Sequence, residues 1–275
     1  MVKRQRSIFS MTIDRFVTDT CLSHAAALSF YVVLSVIPLL FVVISVGSYI
    51  VGSTGSFFPY IMSILRQFVP DISPAVSSDI GHLLNKRGTI GALGFIFLLF
   101  SSDLALLEAK RSLDVIFRLE KRKNPLFIKG KSMLVIVVGG IVVAFLFIIT
   151  PIFRVLIKLD LPLISTTLYV AAQILSSRIF AFFMIFVLFS TAYYFLPSKR
   201  IDRMYVLIAG GMTTILWTFV RTLFSWYLTY HSKINIVYGS LAAIIITILW
   251  VYYTSLIFLF SAEFVSSLKE AREHH

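Results

Sequence analysis

Two arginines lie inside long apolar stretches of this chain, and a charged group inside a membrane is costly enough to need a reason. Arg178 lies 19 residues before Pro197, and Arg221 lies 18 residues after Arg203. On two antiparallel helices rising ~1.5 Å per residue, both guanidiniums sit about 27–28 Å from the basic end of the pair. Thr214, Thr218 and Ser225 fall on the helical face of Arg221, which suits contact with protein or water rather than lipid. A planar guanidinium fork fits carboxylate and phosphate. Arg178, Arg221, Thr218 and Ser225 are therefore the candidate residues for binding an anionic substrate. The alternative is structural, with side chains that snorkel to outer headgroups or bond backbone carbonyls.

Acidic groups collect at the other end of the apolar stretches. Asp103, Glu108 and Glu263 fall near one level with His24. A carboxylate–histidine group can relay protons, and the same residues can equally form an interfacial ion-pair network. Asp103, Glu263 and His24 are the candidate proton-coupling residues. Pro38 sits in mid-stretch, where proline frees a carbonyl and bends a helix, so it is the candidate hinge. His24, Tyr31, Ser35 and Pro38 follow each other by 7, 4 and 3 residues and share one face.

Other chemistry lacks its residues. The histidines are His24, His82, His231, His274 and His275, and none shows metal-ligand spacing. The single cysteine, Cys21, excludes an intramolecular disulfide. The phosphate-binding G-x-x-x-x-G-K-[ST] run is missing, as is the G-x-S-x-G elbow. The expectation is a protein that is not an enzyme, with no catalytic residues, no metal and no cofactor.

The elements that must position these residues are membrane helices. Hydrophobic residues make up 58% of the chain and charged residues 14%, where a soluble domain carries roughly 25% charged. Apolar stretches at 25–51, 90–107, 133–153, 167–196, 204–230 and 240–268 match the ~20 residues that a bilayer core requires. The expected fold is all-α, a polytopic bundle of six spans forming one membrane domain over 1–275. Of 25 Lys and Arg, 17 fall on the side that holds both termini, six on the other and two within spans. The positive-inside rule then places both termini in the cytoplasm. The first stretch reads as a retained signal-anchor rather than a cleaved peptide.

Between the spans, residues 1–24 form a lead-in. Within it 4–22 has the pattern of an amphipathic helix, lying in the cytoplasmic interface or packed on the bundle. Segments 58–69 and 74–85 have helical spacing and suit short outer-face helices, as a lid or lying on the surface. The second span is expected to continue as a solvated helix, with ion pairs Glu108–Arg111, Lys110–Asp114 and Asp114–Arg118 at i,i+3 or i,i+4, ending at Asn124-Pro125. The basic run 118–131 flanks two spans and lacks interleaved stacking aromatics. It points to anionic membrane lipids as partners and not to nucleic acid. Gly210-Gly211 and the heptad-spaced Ser240, Thr247, Thr254 and Ser261 suit close helix contact. Trp226, Tyr227 and Tyr230 suit an aromatic belt.

Three stretches carry a family resemblance. They are Ala25-Ala26-Ala27-Leu28-Ser29-Phe30-Tyr31 running through Ser35 to Pro38, then Tyr194-Phe195-Leu196-Pro197 with Lys199-Arg200, then Tyr238-Gly239-Ser240-Leu241-Ala242-Ala243 with Trp250-Val251-Tyr252 and Ser261-Ala262-Glu263. With these the chain resembles the YihY/BrkB family of bacterial inner-membrane proteins over nearly its whole length. Ser261 stands where that family more often has Gly. The resemblance implies six helices with cytoplasmic termini in the bacterial cytoplasmic membrane. Members have carried labels as a virulence factor and as a ribonuclease. Metal-dependent RNA hydrolysis needs clustered His and carboxylate ligands, which this sequence does not supply. The functional expectation is a transporter or lipid translocator without nucleotide hydrolysis, for a small anionic or amphipathic substrate. The alternative is a non-transporting scaffold or lipid-binding protein.

Overall fold

The computed structural model describes residues 8–50, 87–119, 178–230 and 241–273. All regular structure among them is helical: α1 (Ile8–Thr18), α2 (Cys21–Ile50), α3 (Arg87–Ile116), α4 (Arg178–Phe195), α5 (Arg203–Tyr230) and α6 (Leu241–Glu273). The protein is an all-α membrane protein. The helices α3, α5 and α6 are long and apolar enough to cross a bilayer, and the α1–α2 pair makes a fourth if its 63° bend is counted within one span. The third expected span, the first third of the fourth, the segments 58–69 and 74–85, and most of the basic run 118–131 lie outside the described residues.

In α2, α3, α4 and α6 the apolar residues run all round rather than along one stripe. On α3 the large side chains of Leu93, Phe95, Ile96, Phe97, Leu99 and Phe100 are exposed, as suits a helix whose solvent is hydrocarbon. Several hydroxyls in these helices are satisfied locally. Ser35, Ser101, Thr213, Thr214, Thr218 and Ser261 each donate to the carbonyl four residues back, which spares the membrane an unpaired donor.

The chain divides into two compact units. One comprises residues 26–107 and 228–253. In it α2 runs as one helix through Pro38. Close approach to α3 is made at two glycines. A Cβ on Gly94 would lie 2.8 Å from Phe41 Cβ and 3.3 Å from the Pro38 carbonyl oxygen, and one on Gly91 would lie 2.2 Å from Ser45 Oγ. Small residues of this kind let membrane helices pack backbone to backbone.

The other unit comprises residues 1–25, 108–227 and 254–275. Its core is built on Tyr193, which is fully buried. The Tyr193 hydroxyl donates to the Phe258 carbonyl at 2.6 Å and meets Thr213 Oγ1 at 2.7 Å, while its ring stacks on Phe258 with centroids 4.7 Å apart. One side chain thereby ties α4, α5 and α6 together. A second close contact lies one turn away, where a Cβ on Gly210 would fall 2.1 Å from Ser190 Oγ and 3.2 Å from Ser190 Cα. Its neighbour Gly211 has ordinary room, with Phe186 at 3.8 Å.

Candidate functional site

The polar end of this second unit concentrates the ionisable side chains. The α1 helix lies against α6 through Phe16, whose ring meets Phe260 at 5.7 Å, and through an ion pair between Arg15 and Glu270. Thr12 on the same side is fully buried. Phe9, Ile13 and Val17, spaced at i, i+4 and i+8, are exposed, although the Phe9 ring still meets Phe260 at 6.4 Å. The chain then turns through Thr20, which takes a left-handed φ of 51°, and enters α2.

At the start of α2, His24 Nδ1 lies 2.8 Å from Glu108 Oε1. Arg111 approaches the other Glu108 oxygen at 3.8 Å. Glu108 is buried, so this pair sits in a low dielectric where its geometry counts for more than at a surface. Nearly two turns further along α3, Asp114 accepts from the Ser198 backbone N–H at 2.7 Å and from its hydroxyl at 2.6 Å. Lys110 Nζ donates to Asp114 Oδ2 at 2.7 Å and to Ser198 Oγ at 2.6 Å. Every acceptor of this triad is matched to a donor, which a buried polar network needs to be stable. The end of α3 is closed by Ser266, whose hydroxyl donates to the Ile116 carbonyl at 2.8 Å.

These contacts correct the expected extension of the second span. The α3 helix ends at Ile116, well before Asn124, and Arg118 leaves it with a left-handed φ of 52°. Its ion pairs are packed rather than solvated: Glu108 and Asp114 are both buried. The Glu108–Arg111 and Lys110–Asp114 pairs form. Asp114 spends its carboxylate on Ser198 and Lys110, which removes the acceptor that an Asp114–Arg118 pair would use.

Glu263 lies on α6. It is fully buried, and neither of its oxygens has a hydrogen-bond partner among the described residues. Asp19, Arg15, Arg118 and Glu270 are the charged groups acting on it. The neighbouring Cys21 is buried as a free thiol. Of the three candidate proton-coupling residues, His24 and Glu263 belong to this unit, whereas Asp103 belongs to the other and is exposed on α3. The partner of His24 is Glu108, which the sequence places at the right level but does not single out. Pro38 also lies in the other unit, buried.

The arginines are placed differently. Arg178 opens α4 and Arg221 lies 18 residues into α5; the side chain of Arg178 is outside the described residues. Arg221 is exposed, with its guanidinium 5.6 Å from the Trp217 ring centroid, a cation–π distance. Thr218 and Ser225 are exposed beside it, and Thr214 on the same face is buried. The Thr218 hydroxyl already donates to the Thr214 carbonyl at 2.7 Å, leaving its oxygen only as an acceptor. Among the described residues no group of three or more His, Cys, Asp and Glu is arranged to hold a metal ion.

Comparison with known proteins gives one family. The model of the family described as virulence factor BrkB matches residues 12–275. A UPF0761 membrane protein of Aliivibrio fischeri is 27% identical, over 94% of this chain and 81% of its own length. One from Vibrio campbellii is 26% identical over 98% and 83%. A Bacillus subtilis protein named ribonuclease-like, YfkH, is 22% identical over 81% of each. No solved structure matches the chain.

Proposed function

The chain belongs to the BrkB family of membrane proteins, and from that premise we propose that it is a transporter or lipid translocator that works without nucleotide hydrolysis. Its substrate is anionic or amphipathic, and it acts in the bacterial cytoplasmic membrane with both termini in the cytoplasm. The observation that supports this reading is Glu263, a fully buried carboxylate with no hydrogen-bond partner among the described residues. A scaffold gains nothing from such a group, because leaving a buried polar atom unpaired costs about 1–3 kcal/mol. A coupled transporter needs a site of that kind to load and release its driving ion. His24 with Glu108 adds a second titratable pair at the same end. Arg178 and Arg221 serve the anionic substrate, and the chain acts on no nucleic acid.

A second reading follows from Arg221. Its exposed guanidinium over Trp217, with Thr218 and Ser225 exposed alongside, also suits a lipid-facing anchor for an anionic headgroup. The protein would then bind lipid without moving it. Native mass spectrometry with lipid and metabolite identification separates the two. An anionic species that is bound by the wild type and lost in the Arg178→Ala, Arg221→Ala double variant supports substrate binding. The same set of lipids on both proteins assigns the arginines to anchoring.

A further inference from the structure

Of six buried side-chain polar atoms in the second unit that lack a hydrogen-bond partner among the described residues, one, Ser190 Oγ, lies against Gly210, and the other five belong to four residues. Both oxygens of Glu263, Oδ2 of Asp19, Nη1 of Arg15 and Oγ of Ser267 are buried without a hydrogen-bond partner among the described residues. Asp19 and Arg15 are also charged groups that act on Glu263. Ser267 lies one helical turn beyond Glu263 on α6, and both side chains are 0% exposed. Buried polar groups in native structures are satisfied by protein, water or an ion, so a set like this implies an occupant.

The chemistry of the set selects the occupant. The carboxylate oxygens accept, the arginine nitrogen donates, and the serine hydroxyl can do either. A metal cation would serve the oxygens and leave the Arg15 nitrogen facing a like charge. Water serves all of them, and internal waters make about three hydrogen bonds each. The charges add a second requirement. The charged groups whose fields act on Glu263 are Arg15 on α1, Asp19 in the α1–α2 turn, Arg118 beyond the end of α3 and Glu270 on α6 itself; the Cys21 thiol on α2 lies in the field of Glu263 and Asp19. The set counts two guanidiniums and three carboxylates, and Arg15 is already paired with Glu270. Fully ionised, the cluster holds one uncompensated negative charge, and one proton balances it.

We infer that Glu263 is the proton-binding residue of an internal water cluster bounded by Arg15, Asp19 and Ser267. The proton arrives on a hydronium, an O–H bond forms at a Glu263 oxygen, and a neutral water remains; release runs the same step backwards. This assignment rests on the transport reading for what the proton drives, whereas the binding itself needs no substrate.

Infrared difference spectroscopy between acid and alkaline buffer, on the full chain in lipid nanodiscs, tests it. The wild type should show a carboxylic C=O band on the acid side that shifts in D2O, and Glu263→Gln should lose that band. Ser267→Ala should move the band without removing it, which keeps the test decisive if Glu263→Gln does not fold. An identical spectrum in Glu263→Gln, a band that ignores D2O, or a band unmoved by Ser267→Ala overturns the inference. Replacing choline with sodium at fixed pH should change nothing; loss of the band in sodium would make this a cation site and overturn the proton assignment. Proton binding that drives no flux leaves this inference standing and removes the transport reading instead.

Discussion

Asp114 holds both the backbone N–H and the hydroxyl of Ser198, at 2.7 and 2.6 Å, across 84 residues of chain. The carboxylate thereby pins the turn between α4 and α5 to α3, and Lys110 closes the triad on both partners. Asp114→Ala should destabilise the protein by about 3 kcal/mol or more, since it leaves the ammonium of Lys110 buried beside an unmatched N–H. Ser198→Ala keeps the backbone donor and should cost about 1 kcal/mol. Thermal unfolding in detergent reads both, and equal Tm values for the two variants would show that the backbone arm contributes nothing.

Tyr193 offers a cleaner separation of packing from hydrogen bonding. Tyr193→Phe keeps the stack on Phe258 and removes the hydroxyl that serves the Phe258 carbonyl and Thr213. It should cost about 1–2 kcal/mol. Tyr193→Ala empties the centre of the unit and should cost about 3–5 kcal/mol. Denaturant unfolding followed by tryptophan fluorescence compares the two; a Phe variant as unstable as the Ala variant would contradict this division.

The two adjacent glycines of α5 should behave oppositely. Gly210→Ala puts a methyl group within 2.1 Å of Ser190 Oγ and should destabilise by about 1–3 kcal/mol. Gly211→Ala meets ordinary space and should be neutral, or stabilising by up to about 1 kcal/mol. Adding Ser190→Gly to Gly210→Ala should restore part of the loss. A double variant no better than Gly210→Ala alone would locate the strain elsewhere.

His24 and Glu108 should be energetically coupled. A double-mutant cycle of His24→Gln and Glu108→Gln should give an interaction of about 0.5–3 kcal/mol, because the two lie 2.8 Å apart with Glu108 buried. The same cycle with Asp103→Asn in place of Glu108→Gln should give additive effects. Coupling to Asp103 of equal size would reverse the pairing.

Much of this architecture is legible in the sequence, and the omissions have physical causes. Helix type follows from apolar runs long enough to cross a bilayer, and Gly210 declares itself as a close contact because a paired glycine in a membrane helix has few other uses. The level of His24 can be counted from the chain, but its partner cannot. Asp103 and Glu108 are five residues apart, which turns them roughly 140° from each other round the helix, and only the packed structure shows which one faces α2. Lys110 and Asp114 announce themselves as neighbours at i,i+4. Ser198 carries no local signal, because its meeting with Asp114 depends on where two distant helices dock. Tyr193 is hidden for a similar reason: within an aromatic run its hydroxyl looks like any other, and its role depends on α5 and α6 arriving beside it. The expectation of a solvated extension after the second span misjudged charge for exposure. The ion pairs there are satisfied inside the protein, so their polarity gives no licence to place them in water.

Transbilayer movement of a headgroup-labelled fluorescent phosphatidylglycerol in proteoliposomes tests the central claim most directly. Outer-leaflet label is quenched by a membrane-impermeant reductant under an imposed proton gradient, and wild type, Glu263→Gln and protein-free vesicles are compared. The translocator reading predicts label exchange at least ten times faster with wild type than without protein, falling to the protein-free rate in Glu263→Gln. Label retention identical in all three, with the protein shown to be folded and inserted, would contradict translocation of an anionic lipid.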